Sequence, residues 1–232
     1  MNSLVSPDER CLVVVAAAFE ARAIIAGFGA NTSIPDSWSV RALGPRFDLL
    51  VSGVGKSNAA GATVRALAQQ TYRTVLNMGI CGGFPASPEL SIGQTVLATA
   101  CVFGDEGIDL GTRWMPLSQA GFQAAITGES LAPSEDCLAF LRPFADRAGP
   151  IVTVSSCSGN DAAAMEMLRR VPGAVAEAME GAAVGLAAQR AGARFAEWRV
   201  VSNRTGDRDR QGWDIPKAAS KLEQLAARLA RM

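Results

Sequence analysis

The chain has no histidine. That absence removes every imidazole base, and with it the Ser-His-Asp and Cys-His nucleophile systems and His-ligated zinc. Acid–base chemistry falls to carboxylates, amides, water or backbone groups. An excess of charge is missing too: 22 Lys+Arg face 22 Asp+Glu, for a formal net charge of zero. There is no electrostatic footprint for a nucleic acid or for an anionic membrane surface. Paired cysteine motifs are absent. Cys11, Cys81, Cys101, Cys137 and Cys157 are odd in number, far apart and form no CxxC. That spacing suits reduced thiols in the cytoplasm better than a disulfide framework or a zinc ribbon. The first ten residues are polar and acidic, so no secretory leader is expected. The longest apolar run near the start, residues 11–19, is too short to span a bilayer.

What is present is a core-forming composition. The 232 residues are 49% hydrophobic and 19% charged, which excludes global disorder. Residues 11–17 (CLVVVAA) form a continuous apolar run that predicts a strand buried on both faces. Further strands are predicted at 46–51, 74–78, 94–103, 151–154, 174–178 and 194–202. Helices are predicted at 20–26, 56–70, 135–145, 161–170, 181–191 and 215–232, the last with Leu222, Leu225 and Leu229 on one face. Residues 104–133 read as a long irregular excursion. Strands and helices alternate without repeat or linker. The chain 1–232 is therefore expected to be a single α/β domain with three layers, α/β/α, and a mostly parallel or mixed sheet. Ligands of such sheets sit at the carboxyl ends of strands.

Two glycine motifs fail on inspection. Gly55-Lys56-Ser57 ends like a P-loop, but Leu50 stands where the first glycine is needed. Gly53-Val54-Gly55 begins like a dinucleotide fingerprint, but Asn58 replaces the third glycine. What survives is a glycine turn leading from a strand into a helix N-terminus, a place that suits a polar ligand group.

Five segments carry the informative pattern: residues 16–22 (AAAFEAR), 52–60 (SGVGKSNAA), 77–84 (NMGICGGF), 176–184 (AEAMEGAAV) and 199–209 (RVVSNRTGDRD). In this order and spacing they resemble the nucleoside phosphorylase/nucleosidase family, related to the methylthioadenosine/S-adenosylhomocysteine nucleosidases. The likeness covers nearly the whole chain and implies a phosphorylase/hydrolase-like fold, a small-molecule nucleoside substrate and no cofactor or metal. It also implies a homo-oligomer.

The resemblance carries roles residue by residue. Glu20 would orient or deprotonate an attacking water, with Arg199 helping to hold it. Glu180 would bind the ribose hydroxyls and stabilise the sugar cation, with Met179 packed on the ribose. Gly79 and Ile80 would lie beside the water, and Cys157 and Ser158 beside the base. Ser202 and Asn203 would meet the purine. Asn203 stands where adenine-specific members carry aspartate. An amide can donate to O6 of a 6-oxopurine and accept its N7–H, whereas an ionised aspartate would repel O6. The strand before residue 79 holds no arginine for phosphate, and Ile80 replaces a hydroxyl residue, so water is the expected acceptor. The run 172–184, the segment 153–159 and the tail from Ser202 to Trp213 resemble the 6-oxopurine nucleosidases of the family. Their substrate has an acidic 5′ group that calls for a cation, and Arg113 is a candidate. Each residue also has a plainer reading: Glu180 as a dipole-favoured helix glutamate, Arg199 as the partner of Glu197 or Asp207, and Asn203 as a turn residue. An adenine nucleosidase, a purine phosphorylase and an inactive nucleoside-binding protein are the alternatives.

Overall fold

The computed structural model describes residues 4–6, 8–85, 90–121 and 130–231. The first half contains β1 (Cys11–Val15), α1 (Ala18–Phe28), β2 (Ser39–Ala42), β3 (Phe47–Val51), α2 (Lys56–Gln69), β4 (Thr74–Gly83) and β5 (Thr95–Phe103). A hairpin of β6 (Gly107–Asp109) and β7 (Trp114–Pro116) follows, then β8 (Ser130–Leu131) and α3 (Glu135–Leu141). The second half adds β9 (Arg147–Thr153), α4 (Asp161–Arg170), β10 (Ala176–Ala178), α5 (Gly181–Arg190), β11 (Arg194–Arg204) and α6 (Ile215–Ala230).

The fold is mixed α/β. A nine-stranded sheet runs in the order β10-β9-β5-β11-β4-β1-β3-β2, with β8 on β5. β3, β1, β4 and β11 are mutually parallel, and so are β5, β9 and β10. β11 meets β5 antiparallel, which makes the sheet mixed. β10 also pairs antiparallel with β4, so strands β4, β11, β5, β9 and β10 close into a ring.

Alternation along β1 explains the layers. Cys11, Val13 and Val15 face one core with Leu222, Leu225 and Leu229 of α6, while Leu12 and Val14 face a second core with Ala59, Ala62 and Ala66 of α2 and the small residues of α5. Helices α1, α3 and α6 cover the first face; α2 and α5 cover the other. Gly27 is needed where α1 crosses α6, because a Cβ there would lie 2.3 Å from the Glu223 carbonyl oxygen.

Two expectations are corrected and one strand is added. The strand expected to stop at Met78 continues through the glycine segment to Gly83, because its backbone pairs with β11 along its whole length. β2 is an edge strand whose half-exposed Ser-Val-Arg-Ala sequence gives little apolar signal. The helix expected over 135–145 ends at Leu141 and tightens into a 3-10 turn containing Pro143, where no backbone N–H is available. The excursion at 104–133 includes the β6–β7 hairpin; residues 122–129 fall outside the described ones.

Candidate active site

The parallel strands β1, β4 and β11 end at the same side of the sheet. Glu20 follows β1 on the first turn of α1, Ile80 lies in β4, and Arg199, Ser202 and Asn203 lie in β11. Glu180 enters from the turn between β10 and α5. One cleft of about 230 Å³ receives them all. Its lining includes Glu20, Ile80, Cys157, Ser158, Met179, Glu180, Arg199, Ser202 and Asn203. These residues come from separate parts of the chain and are brought together by the sheet register.

Arg199 is the electrostatic centre, with 1% of its surface exposed. Its Nε donates to Glu197 Oε1 (2.8 Å), its Nη1 to the Ile80 carbonyl (3.3 Å), and its Nη2 to Asn77 Oδ1 (2.5 Å) and Glu180 Oε2 (3.2 Å). Burial alone would lower its pKa, but Glu197, Glu180 and Glu20 around it raise it, so it stays a cation. Arg199 pairs with Glu197, as the plainer reading has it, and also lines the cleft. Asp207 pairs instead with Arg210.

Glu20 is 2% exposed. The Ala16 and Ala17 N–H groups donate to its Oε2 (2.9 and 3.0 Å), and the Ile80 N–H donates to its Oε1 (2.9 Å). Burial pushes its pKa above the ordinary 4.5; Glu180 adds to this, while Arg199 and the backbone donors oppose it. Glu180 accepts from the Gly55 N–H (3.0 Å) through Oε1. The Gly53–Gly55 turn thus serves a carboxylate of the same chain.

Gly79 does not line the cleft. It packs directly behind it: a Cβ at Gly79 would stand 2.4 Å from Glu20 Oε1 and 2.8 Å from Arg199 Nη1, and its φ of +153° suits glycine. Gly181 serves in the same way, since a Cβ there would meet Glu197 Oε2 at 1.9 Å. Two glycines therefore let buried charges approach the backbone.

At the other end, Asn203 Nδ2 donates to the Arg204 carbonyl (2.8 Å), and its Oδ1 lies 2.9 Å from the Ser202 hydroxyl. These contacts set the amide orientation and leave a second N–H and a second lone pair for a ligand. Arg113 is not part of this site; it lies in the β6–β7 hairpin, and the cations lining the cleft are Arg199 and Arg208. Sequence reading assigned no role to Asn77, Glu177 or Gln211. Gln211 Nε2 donates to the Ser158 carbonyl (3.0 Å), and its Oε1 accepts from Trp213 Nε1 (2.7 Å) and Arg208 Nη1 (3.0 Å). The contacts of Asn77 with Arg199, of Glu177 with Ser158 and of Gln211 with the Ser158 carbonyl span 122, 19 and 53 residues, so no short-range pattern reveals them.

Residues 42–231 match the phosphorylase superfamily. The chain belongs to that superfamily. Futalosine hydrolase from Acidothermus cellulolyticus is 43% identical over 223 residues, 94% of this chain and 89% of that protein. Futalosine hydrolase from Streptomyces coelicolor is 36% identical over 202 residues, 85% and 80% of the two chains. Among solved structures, 5′-methylthioadenosine/S-adenosylhomocysteine nucleosidase from Neisseria meningitidis, in complex with methylthio-immucillin-A, superimposes with a TM-score of 0.77 at 21% identity. That superposition covers 97% of this chain and 100% of the other. With hydrolase relatives of 43% and 36% identity over most of its length, this chain is an N-glycosidase that hydrolyses a nucleoside.

Proposed function

We propose that the protein hydrolyses futalosine, releasing hypoxanthine and dehypoxanthinylfutalosine as a step toward menaquinone. The observation that carries this reading is the grouping of Glu20 and Glu180 around Arg199 at one end of a cleft whose other end holds Asn203. Breaking a purine N-glycosidic bond leaves a cationic sugar and an anionic base. Two carboxylates on the sugar side and one amide on the base side meet those charges. Glu180 binds the ribose hydroxyls and Met179 packs on the ring. Glu20 takes a proton from the attacking water. Asn203 donates to O6 and accepts N7–H.

Water is favoured over phosphate by the state of Arg199. Its N–H groups already serve Glu197, Asn77, Glu180 and the Ile80 carbonyl, which leaves no fork for a phosphate dianion. The 43% identical relative supports futalosine as substrate. We also place the enzyme in the cytoplasm as a homo-oligomer with no nucleic-acid or membrane partner; its free cysteines, four of them buried, fit a reducing compartment.

The test is chromatography of futalosine incubated with purified enzyme, with and without phosphate. Hypoxanthine is expected in both. Release only with phosphate would make the enzyme a phosphorylase. Release of adenine from adenine nucleosides, with futalosine untouched, would overturn the Asn203 argument.

Glu20 also sets a pH dependence. A base must be ionised to act, and burial raises the pKa of this one. The acid limb of kcat/KM is therefore expected above 4.5, and activity rises with pH through it. Glu20→Gln should abolish that limb along with most of the rate. An acid limb below 4.5 would exclude Glu20 as the base.

A further inference from the structure

The centre of β11 is apolar except at two positions. Phe195, Ala196, Trp198, Val200 and Val201 are buried hydrophobics, and Glu197 and Arg199 stand among them. Arg199 lines the cleft, whereas Glu197 lies behind it, fully buried against α5. A carboxylate withdrawn from water is unfavourable unless a cation and donors meet it. The cation that meets Glu197 is Arg199, whose Nε donates to Oε1 (2.8 Å). No N–H or O–H among the described residues donates to Oε2, which rests against Gly181, the first residue of α5. The other titratable groups around Glu197 are the thiols of Cys101 in β5 and Cys81 in β4. Both stay neutral, because burial pushes their pKa up and Glu197 adds to it.

We propose that Glu197 is a positioning residue for the hydrolysis: it fixes the Arg199 guanidinium through Nε and takes up its charge, so that neither Glu20 nor Glu180 is neutralised by it. This rests on the roles given to Glu20 and Glu180 above and adds to them.

The sheet register builds the arrangement. Glu197 lies opposite Asn77 of β4, and Arg199 lies opposite Gly79. Residues two apart on a strand share a face, and so do residues directly opposite in adjacent strands. Glu197, Asn77, Arg199 and Gly79 therefore form one block on the α5 side of the sheet. Within it Glu197 holds the Nε edge of the guanidinium, Asn77 Oδ1 accepts from Nη2, and Gly79 leaves room for Nη1. Two fixed edges set the plane of the group. Nη2 then meets Glu180 Oε2 at 3.2 Å, a longer contact than the 2.8 Å to Glu197. Glu20 feels Arg199 as a nearby charge. The tightest carboxylate contact thus goes to the one acid outside the cleft.

That order has a chemical consequence. A carboxylate clamped to a guanidinium is a weak base. With Glu197 balancing the cation, Glu20 stays basic enough to take a proton, and Glu180 stays negative enough to meet the sugar cation.

Two variants separate charge from reach. Glu197→Gln keeps an acceptor for Nε and removes the charge. Arg199 then draws harder on Glu20, so the acid limb of kcat/KM for futalosine should move down by about one pH unit. Glu197→Asp keeps the charge but is one methylene short of Nε. Its acid limb should stay in place, while kcat falls about 10- to 100-fold and KM changes less than about two-fold, because no substrate contact is lost. A residue that only supports the fold would lower the melting temperature and leave the limb and kcat unmoved. An unmoved limb in Glu197→Gln overturns the proposal. If that variant does not fold, a Glu197→Asp enzyme with wild-type kcat overturns it. Either result, beside a wild type that frees hypoxanthine from futalosine without phosphate, sinks only the role of Glu197. A wild type that frees none sinks both readings.

Discussion

Arg199→Met is expected to lower stability by about 3–5 kcal/mol at neutral pH, as removal of one partner from a buried ion cluster does. Methionine fills similar space, so the loss is electrostatic more than steric. The substitution leaves Glu197 and Glu180 without their ion-pair partner and Glu20 without the one cation that lowers its pKa. The sign with pH follows from that. Without the guanidinium, the pKa of Glu20, already raised by burial, rises further above its unfolded value. Its unfavourable contribution is then absent at low pH, where it is protonated, and grows as pH rises through the folded pKa. Urea titrations at pH 5 and pH 8 should therefore show the larger deficit at pH 8. A deficit equal at both pH values would mean that packing, not charge, makes Arg199 indispensable.

Glu180→Gln should have the opposite profile. The amide still accepts from the Gly55 N–H, so the turn and α5 keep their geometry. One negative charge leaves a site where three carboxylates surround one guanidinium, and the melting temperature should hold or rise. What is lost is the charge that meets the sugar cation. A fall of about 100- to 1,000-fold in kcat/KM is expected, the scale seen when one preorganised electrostatic contact is removed. Full activity in this variant would remove Glu180 from the mechanism.

The alternation of strands and helices, the two-sided burial of β1 and the leucine face of α6 were legible because period-2 and period-3.6 patterns are local. The candidate site was legible for a different reason: the Met-Glu and Ser-Asn pairs, in order with the other segments, resemble a known family, and the roles came with that resemblance. Glu177 stayed silent because its partner, Ser158, lies on a different segment that only the fold brings to it. Gly79–Gly83 read as a loop because glycine weakens any strand signal. Pairing with β11 along the whole segment, with β10 added at Gly82 and Gly83, holds those glycines extended.

The position of β11 bears on how the protein is made. This strand, the last of the sheet in sequence, lies between β4 and β5 in the middle of it. On a ribosome, β4 and β5 leave the exit tunnel long before their common neighbour exists. No early fragment can assemble the native sheet, and α6, which covers β1, emerges later still. Loop closure over most of the chain must precede the central pairing, which slows folding. Nascent chains would expose apolar strands throughout that wait, a natural call for chaperone binding. The same strand carries Arg199 and Asn203, so the central pairing and the reactive centre are completed together, near the end of synthesis.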